Sequence, residues 1–201
     1  LLNKKITQLF PSNISTHIIL LATSGPQPFH NPALGFRIAD EKGKSAVHTW
    51  EMQTDGNHKE SVWRDFADAF FVIWKEAVKN GKGPHVFSFG AGTPSLLLEW
   101  AGEMGKSEEH ELIADVVQNH WTDIRRGFRD HFTLPIPGEL TLYSLHHVLG
   151  LTPALKKPLS LFHRDHHDVE LKDALSFCDN LKQWFTNRLT SNLQQEAWKT
   201  G

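Results

Sequence analysis

His17-Ile18-Ile19-Leu20-Leu21-Ala22-Thr23 is a nearly all-apolar run that stops at Ser24-Gly25-Pro26. Continuous rather than alternating hydrophobicity over so short a stretch predicts a central strand covered on both faces, and the Gly-Pro pair predicts a turn after it. Beyond a loop rich in Pro and Asn, Ala33–Ala39 and Ser45–Trp50 flank Asp40-Glu41-Lys42-Gly43-Lys44. Two strand-like runs around a charged, glycine-containing connector predict a β-hairpin, so the chain is expected to open β-β-β.

Further along, the pattern changes period. From about Ser61 to Lys79, the residues Val62, Phe66, Phe70, Ile73, Trp74 and Val78 recur at helical spacing. Asn80-Gly81-Lys82-Gly83-Pro84 then supplies a glycine stop and a proline beyond it. His85-Val86-Phe87-Ser88-Phe89 reads as another buried strand, and Thr93-Pro94-Ser95 starts a helix through Leu96, Leu97, Trp100 and Met104. A third helix is expected over Glu108–Asn119, followed by an amphipathic, basic stretch from Trp121 to Phe132. After the break at Leu134-Pro135-Ile136-Pro137-Gly138, a short helix runs from Leu142 to Gly150. The polar His163–Asp168 segment reads as loop. A last long helix is expected from Val169 to about Leu193, with Leu171, Leu175, Cys178, Leu181, Trp184 and Phe185 on one side. The fold class is therefore α/β, a mixed central sheet flanked by helices.

The chain has 201 residues, 39% of them hydrophobic, which suits a single domain over 1–201 with a sizeable core. It opens on Leu1-Leu2-Asn3-Lys4 rather than Met, which suggests a fragment of a longer protein. Neither a signal-type leader nor an apolar run near 18 residues is present in the sequence, so neither secretion nor membrane spanning is expected. One cysteine, Cys178, cannot form an internal disulfide or a cysteine-rich zinc site; a reducing, cytoplasmic compartment is the simplest expectation. With 21 Lys+Arg against 23 Asp+Glu, the net charge of -2 exerts no overall pull on a polyanion, so nucleic-acid binding would need a local basic patch.

Three separated segments resemble, in order, the motifs of a bacterial ribonuclease H-like domain of the DEDD exonuclease type, found in predicted nucleases and beside RecB-type nuclease and helicase modules. The resemblance spans Ile18 to Phe185. The family's first strand carries an Asp-x-Glu pair that helps to hold two divalent metals; here Leu21 and Thr23 stand in those places. Its second motif ends in an acidic residue where Val86-Phe87-Ser88-Phe89-Gly90-Ala91-Gly92-Thr93 has Thr93. Trp121-Thr122-Asp123-Ile124 resembles its Val-Asp-Leu segment. Leu134-Pro135, Tyr143-Ser144-Leu145 and Leu149-Gly150 resemble its Pro, Tyr-Ser-Leu and Leu-Gly pattern. Its last motif, Tyr-Asn-x-x-Asp, aligns with Val169–Asp173, so Asp173 remains while the Tyr-Asn part does not.

The resemblance implies a ribonuclease H-like fold and a link to DNA repair. The substitutions imply that its catalysis is lost. Two-metal phosphodiester hydrolysis needs several carboxylates converging on two ions about 3.5–4 Å apart. Leu21, Thr23 and Thr93 supply none. The remnant carboxylates are Asp173 and, as a further candidate, Asp123. No cofactor is expected. Mg²⁺ or Mn²⁺ would enter only in the alternative of an active nuclease with a relocated site at Asp173, Asp123 and the His163–Asp168 loop. A second alternative is an unrelated α/β interaction domain.

Other constellations carry weaker chemistry. His163, His166 and His167 are metal-ligand residue types without a template spacing, and a solvated loop is the blander account. His146-His147 reads as a pair on a helix surface. Arg125, Arg126 and Arg129, with Lys156 and Lys157, could make a phosphate-contacting face, since guanidinium forks suit phosphate oxygens. Trp63, Trp74, Trp100 and Trp184 sit at core positions, better suited to packing than to stacking on bases. Trp50 and Trp121 are open. Expected partners are DNA or RNA and neighbouring domains of the same polypeptide, with no membrane.

Overall fold

The chain is described from a computed structural model covering residues 14–23, 32–39, 45–51, 58–81, 83–132, 140–151 and 171–200; side chains at 15, 39, 143 and 189–200 are excepted. Its opening apolar run is strand β1, Ile14–Thr23. The hairpin follows as β2, Ala33–Ala39, and β3, Ser45–Glu51. Then come α1 (Lys59–Lys79), β4 (Gly83–Ser88), α2 (Gly92–Met104) and α3 (Ser107–Asn119). The remainder is β5 (Trp121–Asp123), α4 (Ile124–His131), α5 (Leu142–Val148) and α6 (Leu171–Thr200).

The strands form one mixed sheet in the order β3-β2-β1-β4-β5. β1 pairs antiparallel with β2, as β2 does with β3, while β1–β4 and β4–β5 are parallel. β1 is apolar from Ile18 to Ala22 because both of its faces are covered there. Ile18 and Leu20 join Phe36, Val86 and the helices α1–α3 in one core; Ile19 joins Phe87, Phe128 and α6 in the other. This alternation is the period of two that a strand imposes.

The first core is aromatic. Trp63, Phe66, Phe70 and Trp74 recur along the buried side of α1. Phe66 stacks on Phe70 at 5.6 Å, and Phe36 meets both edge-on at 6.0 and 6.1 Å. The helix ends as its glycine signal predicts: Gly81 has φ +66 and its N–H donates to Val78 O at 3.0 Å. Val78, expected on the apolar face, is instead 56% exposed, because Ala77 takes the inward position in that last turn.

The second core depends on a close approach. A Cβ on Gly35 would lie 2.9 Å from Leu171 Cδ2 and 3.0 Å from Leu175 Cδ1, so glycine lets α6 settle near β2 without displacing those leucine side-chain ends. Within the amphipathic stretch from Trp121 to Phe132, Trp121–Asp123 pairs with Val86–Ser88 as an edge strand before Asp123 caps α4. One expectation is corrected. His146 is not on the surface: it is 1% exposed and its Nε2 lies 2.7 Å from Phe177 O, while His147 is exposed. The reason is that α5 turns this imidazole toward α6, where a backbone carbonyl satisfies it. Among the described residues no helix is long and apolar enough to cross a membrane.

Candidate functional site

In an open α/β sheet, the crevice outside the carboxyl ends of the parallel strands, where connections leave in opposite directions, is the usual place for a ligand. Here the chain leaves β1 toward β2 and leaves β4 toward α2 and β5, so the corresponding rim of the sheet is at Ala22–Thr23, Ser88–Gly90 and Asp123. At this rim the backbone N–H of Ala22 donates to Thr93 Oγ1 at 3.2 Å. Thr93, in the first turn of α2, is buried and thereby tied to the end of β1.

Asp123 closes the neighbouring gap. Its Oδ1 accepts from the N–H of Gly90 at 2.8 Å, of Arg125 at 2.9 Å and of Arg126 at 3.3 Å. One carboxylate oxygen therefore caps α4 and clasps the β4–α2 turn, where Gly90 holds φ +89. Beneath it, the indole N–H of Trp121 donates to Ser88 Oγ at 2.9 Å. Trp121 is thus a structural residue, as is Trp50, which meets Phe66 edge-on at 5.6 Å.

Leu21 and Thr23 point to the α6 side of β1. Leu21 pairs across the sheet with Gly35 and packs into the second core, beneath the turn of α6 that carries Leu171 and Leu175. Asp173 lies between those two leucines in sequence and is exposed. The structure thus gathers the end of β1, the start of α2 and the first turn of α6 around one end of the sheet. Among the described residues of this rim, positions 21, 23 and 93 carry no carboxylate for a pair of divalent metals. Leucine offers no ligand atom, Thr93 Oγ1 accepts a backbone N–H, and Asp123 Oδ1 accepts three of them.

Arg125 is half-buried against Gly90, with its Cδ 3.8 Å from where a Cβ would stand. Arg126 and Arg129 are exposed, and each places Nε on Asp130, at 3.3 and 3.2 Å. These contacts, foremost the hydrogen bond from Arg129, hold the Asp130 carboxyl below its ordinary range. Lys156, Lys157, His163, His166 and His167 lie outside the described residues.

A second polar group, between α6 and the sheet, was missed by the sequence reading. Asp179 is 2% exposed, with Arg37 Nε 3.2 Å from its Oδ2 and Lys182 Nζ 3.5 Å from its Oδ1. Arg37 also donates from Nη1 to Ser176 Oγ at 3.2 Å. Lys182 lies 5.6 Å from the Phe87 ring centroid, a cation–π contact, and burial pushes its pKa down against the pull of Asp179. On the same face, His17 stacks on Phe87 at 5.7 Å, and His85 Nε2 lies 2.9 Å from Thr122 Oγ1. Burial, with Lys182 next, brings His17 down to about 4; burial, with His120 next, does the same to His85. The available signal was Arg37 inside an apolar strand, together with Asp179 and Lys182 three apart on the last helix.

Comparisons with family models, with curated proteins and with solved structures return no match for this chain.

Proposed function

We propose that this chain is a catalytically degenerate ribonuclease H-like exonuclease domain that serves as a nucleic-acid-binding module within a nuclease- or helicase-type protein. The observation that carries the reading is the 3.2 Å hydrogen bond from Ala22 N–H to Thr93 Oγ1. It joins two segments that the motif resemblance associates with metal-holding carboxylates. Further support comes from the element order: a three-strand meander, a helix, a strand parallel to the first, and then mainly helices, the last returning over β1 and β2. The neutral side chains at this rim serve packing and backbone hydrogen bonding, which suits a scaffold kept after loss of the chemistry. In this reading Asp123 is a structural clasp, its Oδ1 accepting from three backbone donors.

The binding surface in this reading is the outer face of α4, where Arg126 and Arg129 are exposed beside half-buried Arg125. Three phosphate contacts on a single strand would give a log–log salt slope of about −2. Fluorescence anisotropy with single-stranded and duplex DNA, from low to moderate salt, tests this. Salt-dependent binding that drops at least about tenfold in R126E/R129E is expected. Absence of binding at low salt would reject the nucleic-acid role and leave protein–protein scaffolding as the surviving use of the domain.

A further inference from the structure

Strand β3, Ser45-Ala46-Val47-His48-Thr49-Trp50-Glu51, is an edge of the sheet, paired with β2 on one side and with no strand on the other among the described residues. Ser45, Ala46, His48, Thr49 and Glu51 are exposed along it. Edge strands in soluble proteins are commonly blunted by lysine, proline, a bulge or inward-pointing charge. β3 has none of these: it contains no lysine or proline, pairs with β2 without a register shift through all seven residues, and carries one formal charge, Glu51.

The side chains also form a tier that stops in the open. Phe36 lies 5.0 Å from His48 and 5.4 Å from Trp50, and His48 stacks on Trp50 at 6.0 Å with 14° between the rings. Phe36 is fully buried and Trp50 half-buried, while His48 is exposed. On the other face, Val47 packs against the second core.

We propose that β3 is an interface for a second copy of this chain, which adds its own β3 antiparallel about a two-fold axis through His48. Such an axis, perpendicular to the sheet, keeps paired residues on one face, so the paired residue numbers must add to an even total. Only pairing His48 with itself matches the strand over its whole length. That register is self-complementary. Ala46 faces Trp50, small against large; Val47 faces Thr49, both β-branched; Ser45 faces Glu51. The two Glu51 carboxylates then lie at opposite ends of the pair, about 20 Å apart along the strands, so no like formal charges oppose each other. The open tier becomes a row of Trp50, His48, His48 and Trp50 across the axis. The two five-stranded sheets join into one, with the candidate crevices at opposite rims, because the axis reverses strand direction.

The test uses the whole chain and the register. Light scattering after size exclusion, at neutral pH and concentrations up to about 100 μM, should give twice the chain mass. His48→Lys and His48→Glu each place like charges directly opposite and should each halve the mass, with far-UV circular dichroism unchanged. An equimolar mixture of the two variants should recover the doubled mass, since Lys then faces Glu. A monomeric unaltered chain overturns the proposal. So does either variant remaining a dimer, or a mixture that stays monomeric, since each would place any association elsewhere.

Discussion

The two sides of the sheet are built on different terms. Against α1–α3, the core is made of apolar and aromatic side chains in ring-to-ring contact. Against α6, a comparable apolar cluster shares its face with a buried carboxylate, two cations and three buried or half-buried imidazoles: His17, His85 and His146. The first side is stabilised by area removed from water, which tolerates small adjustments. The second depends on charge pairing in a site with poor access to solvent, where a broken pair costs more than an intact one contributes. Arg37 Nε and Asp179 Oδ1 have ion contacts but no hydrogen-bond partner of good geometry among the described residues, so this pairing is itself incomplete.

The largest effect that would break this contrast is at Asp179. Asp179→Ala leaves Arg37 and Lys182 without their shared anion and should cost about 3–5 kcal/mol in urea unfolding; a loss under about 1 kcal/mol would mean that water already serves these cations. Gly35→Ala should cost about 1–3 kcal/mol, because the new methyl meets two leucines of α6 and the His48 carbonyl oxygen at 3.1 Å. An unchanged midpoint would show that α6 is free to move outward.

Acid should sharpen the contrast further. His17 and His85 titrate near 4 in the folded chain and near 6.5 when unfolded. Between those values the unfolded chain binds more protons, so stability falls as pH drops from about 6.5 to about 4 and is unaffected by these groups above that window. Buried His85 should account for roughly 3 kcal/mol of this loss, and His17, partly exposed and screened by solvent, for less. Chemical unfolding at several pH values, with His17→Phe as comparison, measures it; equal slopes in both proteins would exclude His17. The smallest effect is expected on the aromatic side. Ile18→Val should cost about 0.5–1.5 kcal/mol, without the pH dependence of the α6 side.

The same division explains what the sequence made legible. β1, the hairpin, α1 and the glycine stop at Gly81 could be read because local period and turn chemistry agree with the tertiary environment there. Ala33–Ala39 and Ser45–Trp50 return as strands with almost unchanged bounds. The short strand Trp121–Asp123 was hidden because three residues carry no period, and only pairing with β4 makes them extended. Burial of His146 and the Arg37–Asp179–Lys182 group could not be read from charge alone. A polar residue on a helix is placed by its partner, and these partners lie 31 and 142 positions away, at Phe177 and between Arg37 and Asp179. At the rim, the identities of Leu21, Thr23 and Thr93 were plain, but the Thr93–Ala22 hydrogen bond needed three dimensions.

The proposed loss of chemistry requires that this rim hold no metal pair and perform no hydrolysis. Incubating single-stranded and duplex DNA with the chain in Mg²⁺ and in Mn²⁺, alongside calorimetric titration of Mn²⁺, tests it most directly. Neither cleavage nor stoichiometric Mn²⁺ binding is expected, in the unaltered chain and in Asp173→Ala alike. Metal-dependent cleavage by the unaltered chain that disappears in Asp173→Ala would contradict it.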